Sequence, residues 1–115
     1  MARIPRNLRT GAAPSAIQGI VARVGANIAT ARMNRRWRQE DLARRAGLTR
    51  GVIIRIEKGH LGVGIGAYVA ALRALGLDRG IDELASVSND LEGQTLAAVH
   101  GPKRARPDGS LDDDF

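Results

Sequence analysis

The chain has 115 residues, 43% of them hydrophobic but only 3% aromatic, with no cysteine and a formal net charge of +6. That length holds one small domain with tails, and a core drawn from Ile, Val, Leu and Ala fits an all-α bundle. Without cysteine there is no disulfide, thiol nucleophile or cysteine-ligated zinc, and no apolar run approaches the ~18 residues of a membrane span.

Residues 1–14 contain Arg3, Arg6, Arg9, Pro5, Gly11 and Pro14 with no periodicity, which predicts a flexible basic arm. No continuous apolar segment follows its arginines, so no secretory signal is expected, and the cytoplasm is the expected location. A first helix is predicted from an N-cap at Ser15 to about Asn34, because Ile17, Ile20, Val21, Val24, Ile28 and Ala31 recur at spacings of three and four. Gly25, within it, would let another helix approach closely. Arg35 to Arg38 form the connector, and the single Trp, Trp37, reads as a core anchor.

A second helix is predicted to open at Gln39. Glu40 and Asp41 fall in its first turn and Arg44 and Arg45 in its last, as the helix dipole favours. Gly47 supplies the left-handed residue that ends it. Thr49 then caps a third helix, Arg50 to Glu57, closed by Gly59. Two short helices about a glycine turn, with the outer face of the second left free, form the layout that places a helix in a DNA groove. The charge supports this. Arg32, Arg35, Arg36, Arg38, Arg44, Arg45, Arg50, Arg55 and Lys58 stand against Glu40, Asp41 and Glu57, so this window holds the whole net excess. A localised basic face is the footprint of a polyanion binder.

The G-x-G-x-G spacing at Gly62, Gly64 and Gly66 has no preceding strand, which excludes a dinucleotide loop. A fourth amphipathic helix is expected from Ile65 through Leu75 to Gly76, and a short fifth at Asp82–Ala85. Residues 15–85 thus form the predicted domain. In 86–115, Asn89 or Asp90 is placed to cap a helix running to about His100, with Leu91, Leu96, Ala97 and Val99 as its apolar side. The charged stretch beyond it, basic at Lys103 to Arg106 and acidic at Asp108 and Asp112 to Asp114, reads as a disordered tail or a segment ordered by a partner.

Four marks together resemble the Cro/C1-type, or Xre-family, helix-turn-helix. They are V-G-x-x-I at Val24, Gly25 and Ile28; W-x-Q-E-x-L-A from Trp37 to Ala43; A-G-L-T from Ala46 to Thr49; and I-x-R-I-E-x-G from Ile53 to Gly59. The resemblance implies a lambda-repressor-like five-helix domain that reads operator DNA, usually as a homodimer. It assigns Gln39 to a phosphate at the start of the second helix, with Arg38 beside it. Thr49, Arg50, Gly51, Val52 and Arg55 fall on the exposed side of the recognition helix. Arg50 suits a bidentate contact to guanine, Val52 a thymine methyl, and Arg55 and Lys58 phosphates. Ile53 and Ile56 match buried positions. Gly51 and Ile54 stand where small polar residues are usual. A narrower similarity, A-L-R-A-L-G-L from Ala71 to Leu77 and P-K-R-A-R from Pro102 to Arg106, is to Hip-type antitoxins encoded beside kinase toxins.

The leading expectation is therefore a DNA-binding transcriptional regulator, of antitoxin type, without metal or cofactor. The alternative is a protein-interaction module with a degenerate helix-turn-helix, motivated by Val52 and Ile54. An enzyme is the least favoured class, since the acids are scattered and the two histidines isolated.

Overall fold

The computed structural model describes residues 14–101 as an all-α chain with no strand among them. The basic arm expected at 1–14, apart from Pro14, and the charged tail from Pro102 lie outside the described residues. The described chain forms two compact units, 14–79 and 80–101.

The first unit contains α1 (Ser15–Asn34), α2 (Gln39–Ala46), α3 (Arg50–Glu57) and α4 (Ile65–Ala74). Each helix sends apolar residues to one core: Ile28 from α1, Leu42 and Ala43 from α2, Ile53 and Ile56 from α3, Ala71 from α4, and Leu75 just beyond it. The core is wholly aliphatic, as the scarcity of aromatics requires. Trp37 and Tyr68 pack around it half-buried.

α1 is twice as long as its neighbours. Twenty residues span ~30 Å and eight span ~12 Å, so its first turns extend past the bundle. Ile17 and Ile20, read from spacing as part of a buried face, are 40% and 60% exposed for that reason. Pro14 rather than Ser15 occupies the N-cap position and has no side-chain cap. Further along, Gly25 is buried against the C-terminal end of α3. A Cβ there would collide with the Ile56 carbonyl and lie 3.1 Å from the Glu57 carbonyl. These are backbone atoms, so the helices would have to part. Gly25→Ala should destabilise the domain by about 1–3 kcal/mol. At roughly 4–8 °C per kcal/mol, thermal melting reads this directly; an unchanged melting temperature would show that the contact can relax.

The second unit, 80–101, contains 3₁₀ turns at Ile81–Glu83 and Val87–Asn89 and then α5 (Leu91–His100). The helix expected at Asp82–Ala85 is thus only a 3₁₀ turn. Leu84 is extended and Ala85 turns left-handed at φ 62°, which ends the turn before an α-helical repeat can close. α5 starts and stops where the sequence placed it. The Asp90 carboxylate accepts a hydrogen bond from the Gly93 N–H at 2.9 Å, and His100 is the last residue. No residue of 80–101 is buried within this chain.

Candidate nucleic-acid interface

The α2–turn–α3 unit is set by local chemistry at every joint. At the start of α2 the residue in the N-cap position is Arg38, whose guanidinium has no acceptor. The cap is supplied from the other direction: Asp41 Oδ2 accepts from the Arg38 N–H at 2.7 Å. That bond, with help from Arg44 Nη2 at 3.0 Å on the other oxygen, holds the Asp41 carboxyl below the usual aspartate range. Gly47 ends α2 in the left-handed conformation, φ 72°, and the Leu48 N–H returns to the Ala43 carbonyl at 2.9 Å. Thr49 then caps α3, its Oγ1 accepting from the Val52 N–H at 3.2 Å.

Beneath these helices lies an ion pair that spacing alone did not indicate. Glu57 accepts two hydrogen bonds from Arg32, Nε at 2.7 Å and Nη2 at 3.1 Å, and a third from Gln39 Nε2 at 3.0 Å. Arg32 Nη1 also donates to the Trp37 carbonyl at 2.8 Å. The side chains of Arg32 and Glu57 are 12% and 7% exposed, so the pair is nearly withdrawn from water. It ties α1, the connector, the first residue of α2 and the last of α3 together. In the sequence Arg32 stands out only as a charge, and Glu57 only as a charge and a motif letter. The signal that was present is the position of Glu57 beside the buried Ile56 and one turn from Ile53. Arg35 is likewise structural, donating to the Leu75 carbonyl at 3.0 Å.

The residues expected to meet DNA fall into three groups. Arg38, Gln39 and Arg50 line one open cleft of about 310 Å³, with Arg32 and Glu40, where the N-termini of α2 and α3 converge. Thr49, Gly51 and Arg55 lie together on the outer side of α3. A Cβ at Gly51 would sit 3.8 Å from Arg55 Nη1 and 4.0 Å from Thr49 Oγ1. Lys58 is exposed at the far end of the helix. Val52 stands apart from these, half-buried and packed against the core, and Ile54 is half-buried as well. Among the described residues, the side chains of Arg50, Arg55 and Lys58 have no hydrogen-bond or ion-pair partner, whereas the Arg38 guanidinium is held near Glu40 and Asp41 at 3.5 and 3.6 Å. Trp37 is not presented for stacking on a base. It is half-buried, with the Arg45 guanidinium 4.1 Å above its ring.

Two eight-residue helices about a left-handed glycine, with a free basic outer face, have a counterpart among protein families. A helix-turn-helix domain family matches residues 23–85, just over half the chain. The chain belongs to the helix-turn-helix domain family. No curated protein and no solved structure gives a match to it. The matched helix-turn-helix residues run from the middle of α1 to the end of the first 3₁₀ turn, and α5 lies beyond them. This is a DNA-binding helix-turn-helix, with α3 in the position of its second helix. Among the described residues, no helix is long and apolar enough to cross a membrane, and no cluster of three or more His, Asp or Glu is placed to hold a metal ion.

Proposed function

We propose that the chain is a sequence-specific transcriptional regulator that binds operator DNA as a homodimer, with α3 entering the major groove. The observation that carries this is the set of unpaired cations on the outer face, Arg50, Arg55 and Lys58, beside the cleft of Arg38 and Gln39. In this reading a phosphate sits at the cleft, where two helix N-termini and the Gln39 amide converge. Glu57 holds Gln39 from beneath, so the contact is preorganised. Arg55 and Lys58 hold neighbouring phosphates, and Arg50 reads guanine O6 and N7. Val52 offers a thymine methyl only the part of its side chain that the core leaves uncovered.

The finer reading is that of an autorepressing antitoxin of the Xre type, acting in the bacterial cytoplasm or nucleoid and neutralising a kinase-type toxin. Its support is the resemblance of Ala71–Leu77 and Pro102–Arg106 to Hip-type antitoxins. The alternative, a protein-interaction module with a degenerate helix-turn-helix, has less support from Val52, which is half-buried and packed against the core, than from Ile54, which is half-buried but not among the residues packed there.

Fluorescence anisotropy on DNA from upstream of the gene, across a salt series, tests the proposal. Each phosphate neutralised should contribute a slope of about −0.9 in log K against log salt. Lys58→Ala should weaken binding equally on all sequences and make the slope shallower by about one unit per bound copy. Binding that does not depend on salt would overturn the assignment.

A further inference from the structure

We propose that the acidic stretch 108–114 docks on the cationic outer face of α3 in its own chain and competes there with DNA. This rests on the reading of α3 as the helix that contacts DNA, and it adds a means of regulating that same face.

The first observation is where spare charge of each sign collects. Most arginines of the helix-turn-helix frame are already occupied. Arg32 pairs with Glu57, Arg35 donates to the Ala31 and Leu75 carbonyls, Arg44 holds Asp41, and Arg45 lies over Trp37. Arg50, Arg55 and Lys58 are exposed on α3 and at its end, and their side chains have no partner among the described residues. The acids most concentrated in sequence stand elsewhere. Asp108, Asp112, Asp113 and Asp114 have no Lys or Arg between them, and Asp112–Asp114 is the longest run of acids in the chain. Three adjacent carboxylates thus have three free cations to meet. The stretch itself lies outside the described residues.

The second observation is one of length. Arg50 and Lys58 are separated by ~12 Å along the helix axis, and at ~100° per residue the three cations share an arc of about 140°. The stretch 108–114, when extended, spans ~23 Å, enough to lay its carboxylates along all three. Asp112 follows Gly101, the last described residue, by a tether that reaches ~36 Å. A compact unit the size of 14–79 has a radius of gyration of ~11 Å and a breadth of ~28 Å. A tether longer than the unit is broad gives the stretch an effective concentration on the order of millimolar. Weak, salt-screened ion pairs therefore suffice, and a second copy at micromolar concentration cannot compete for the same face. Lys103, Arg104 and Arg106 offer the rival arrangement, a pairing within the tail.

Lys58 and Lys103 are the two lysines of the chain, which makes the test direct. The full chain carrying Lys103→Arg is treated with a carbodiimide, which joins carboxylates to amines in contact, and the links are mapped by peptide mass spectrometry. Lys58 should be linked to Asp112, Asp113 or Asp114 within one copy, and excess duplex DNA of unrelated sequence should suppress the link. Asp112→Asn with Asp113→Asn and Asp114→Asn should tighten binding of that duplex roughly threefold to tenfold at about 0.1 M salt, and the gain should vanish as salt rises. Asp82→Asn with Glu83→Gln and Glu92→Gln removes the same charge and should gain less than about twofold. Absence of the Lys58 link, a link found only between two copies, or equal gains from the two triple variants overturns the proposal. A Lys58 link in a chain that binds no DNA would sink the operator reading and leave the docking standing; salt-dependent DNA binding without the link would do the reverse.

Discussion

Replacing Glu57 with alanine is expected to lower the unfolding free energy by about 3–5 kcal/mol, because it leaves the Arg32 guanidinium nearly buried without its counter-charge. Arg32 donates to Glu57 at 2.7 and 3.1 Å, and only the Trp37 carbonyl would remain to it. Gln39 would lose its partner at 3.0 Å in the same step. For a domain of this size the melting temperature should fall by well over 10 °C, at roughly 4–8 °C per kcal/mol. Urea unfolding followed by Trp37 fluorescence measures the loss, since the indole is half-buried against the core and becomes solvated on unfolding. Arg32→Met together with Glu57→Leu should recover most of it, because removing both charges spares the desolvation that removing one exposes. A single Glu57→Ala loss below about 1 kcal/mol would place the pair among ordinary surface bridges and remove the frame on which Gln39 is positioned.

The second large effect concerns recognition. Arg50→Ala should cost about 1–3 kcal/mol, roughly fivefold to 150-fold, on the preferred operator and much less on unrelated DNA. The contrast with Lys58→Ala carries the argument: a phosphate contact weakens all sequences together, whereas a base contact narrows the gap between them. Selection of binding sites from a random pool, with the native chain and with Arg50→Ala, reads this directly. Unchanged sequence preference in the variant would move base readout away from Arg50. Stability should not confuse the result, because Arg50 is exposed and has no partner among the described residues.

Local grammar was legible from the residues alone. Gln39, Gly47 and Thr49 set the boundaries of α2 and α3, and Asp90 and His100 those of α5, because caps and left-handed glycines act within a few residues. The core positions Ile28, Leu42, Ile53 and Ile56 follow from helical spacing. What spacing could not carry is contact between distant residues. The Arg32–Glu57 pair joins side chains 25 positions apart, and no period reveals it. The exposure of Ile17 and Ile20 depends on how far α1 outruns its neighbours, which is a property of the other helices' lengths. At the site, the motif position of Val52 implies an outward side chain, although the core takes part of it. In an eight-residue helix packed on two sides, the boundary between inner and outer faces passes through such positions. At Asp82–Ala85, where a short helix is expected, a left-handed Ala85 leaves too few residues to form one.

The division of labour around Glu57 bears on how such a protein could diversify. The residues that hold the frame, Arg32, Gln39 and Glu57, form one hydrogen-bonded set, while Arg50, Arg55 and Lys58 belong to none among the described residues. The outer positions of α3 are thus exchangeable letters on a fixed key. If α3 reads DNA as proposed, substitutions there should change which sequence is read without costing the fold its stability. A related chain with a different set of outer residues on the same frame would be expected to recognise a different operator, and grafting those residues onto this α3 should transfer that preference.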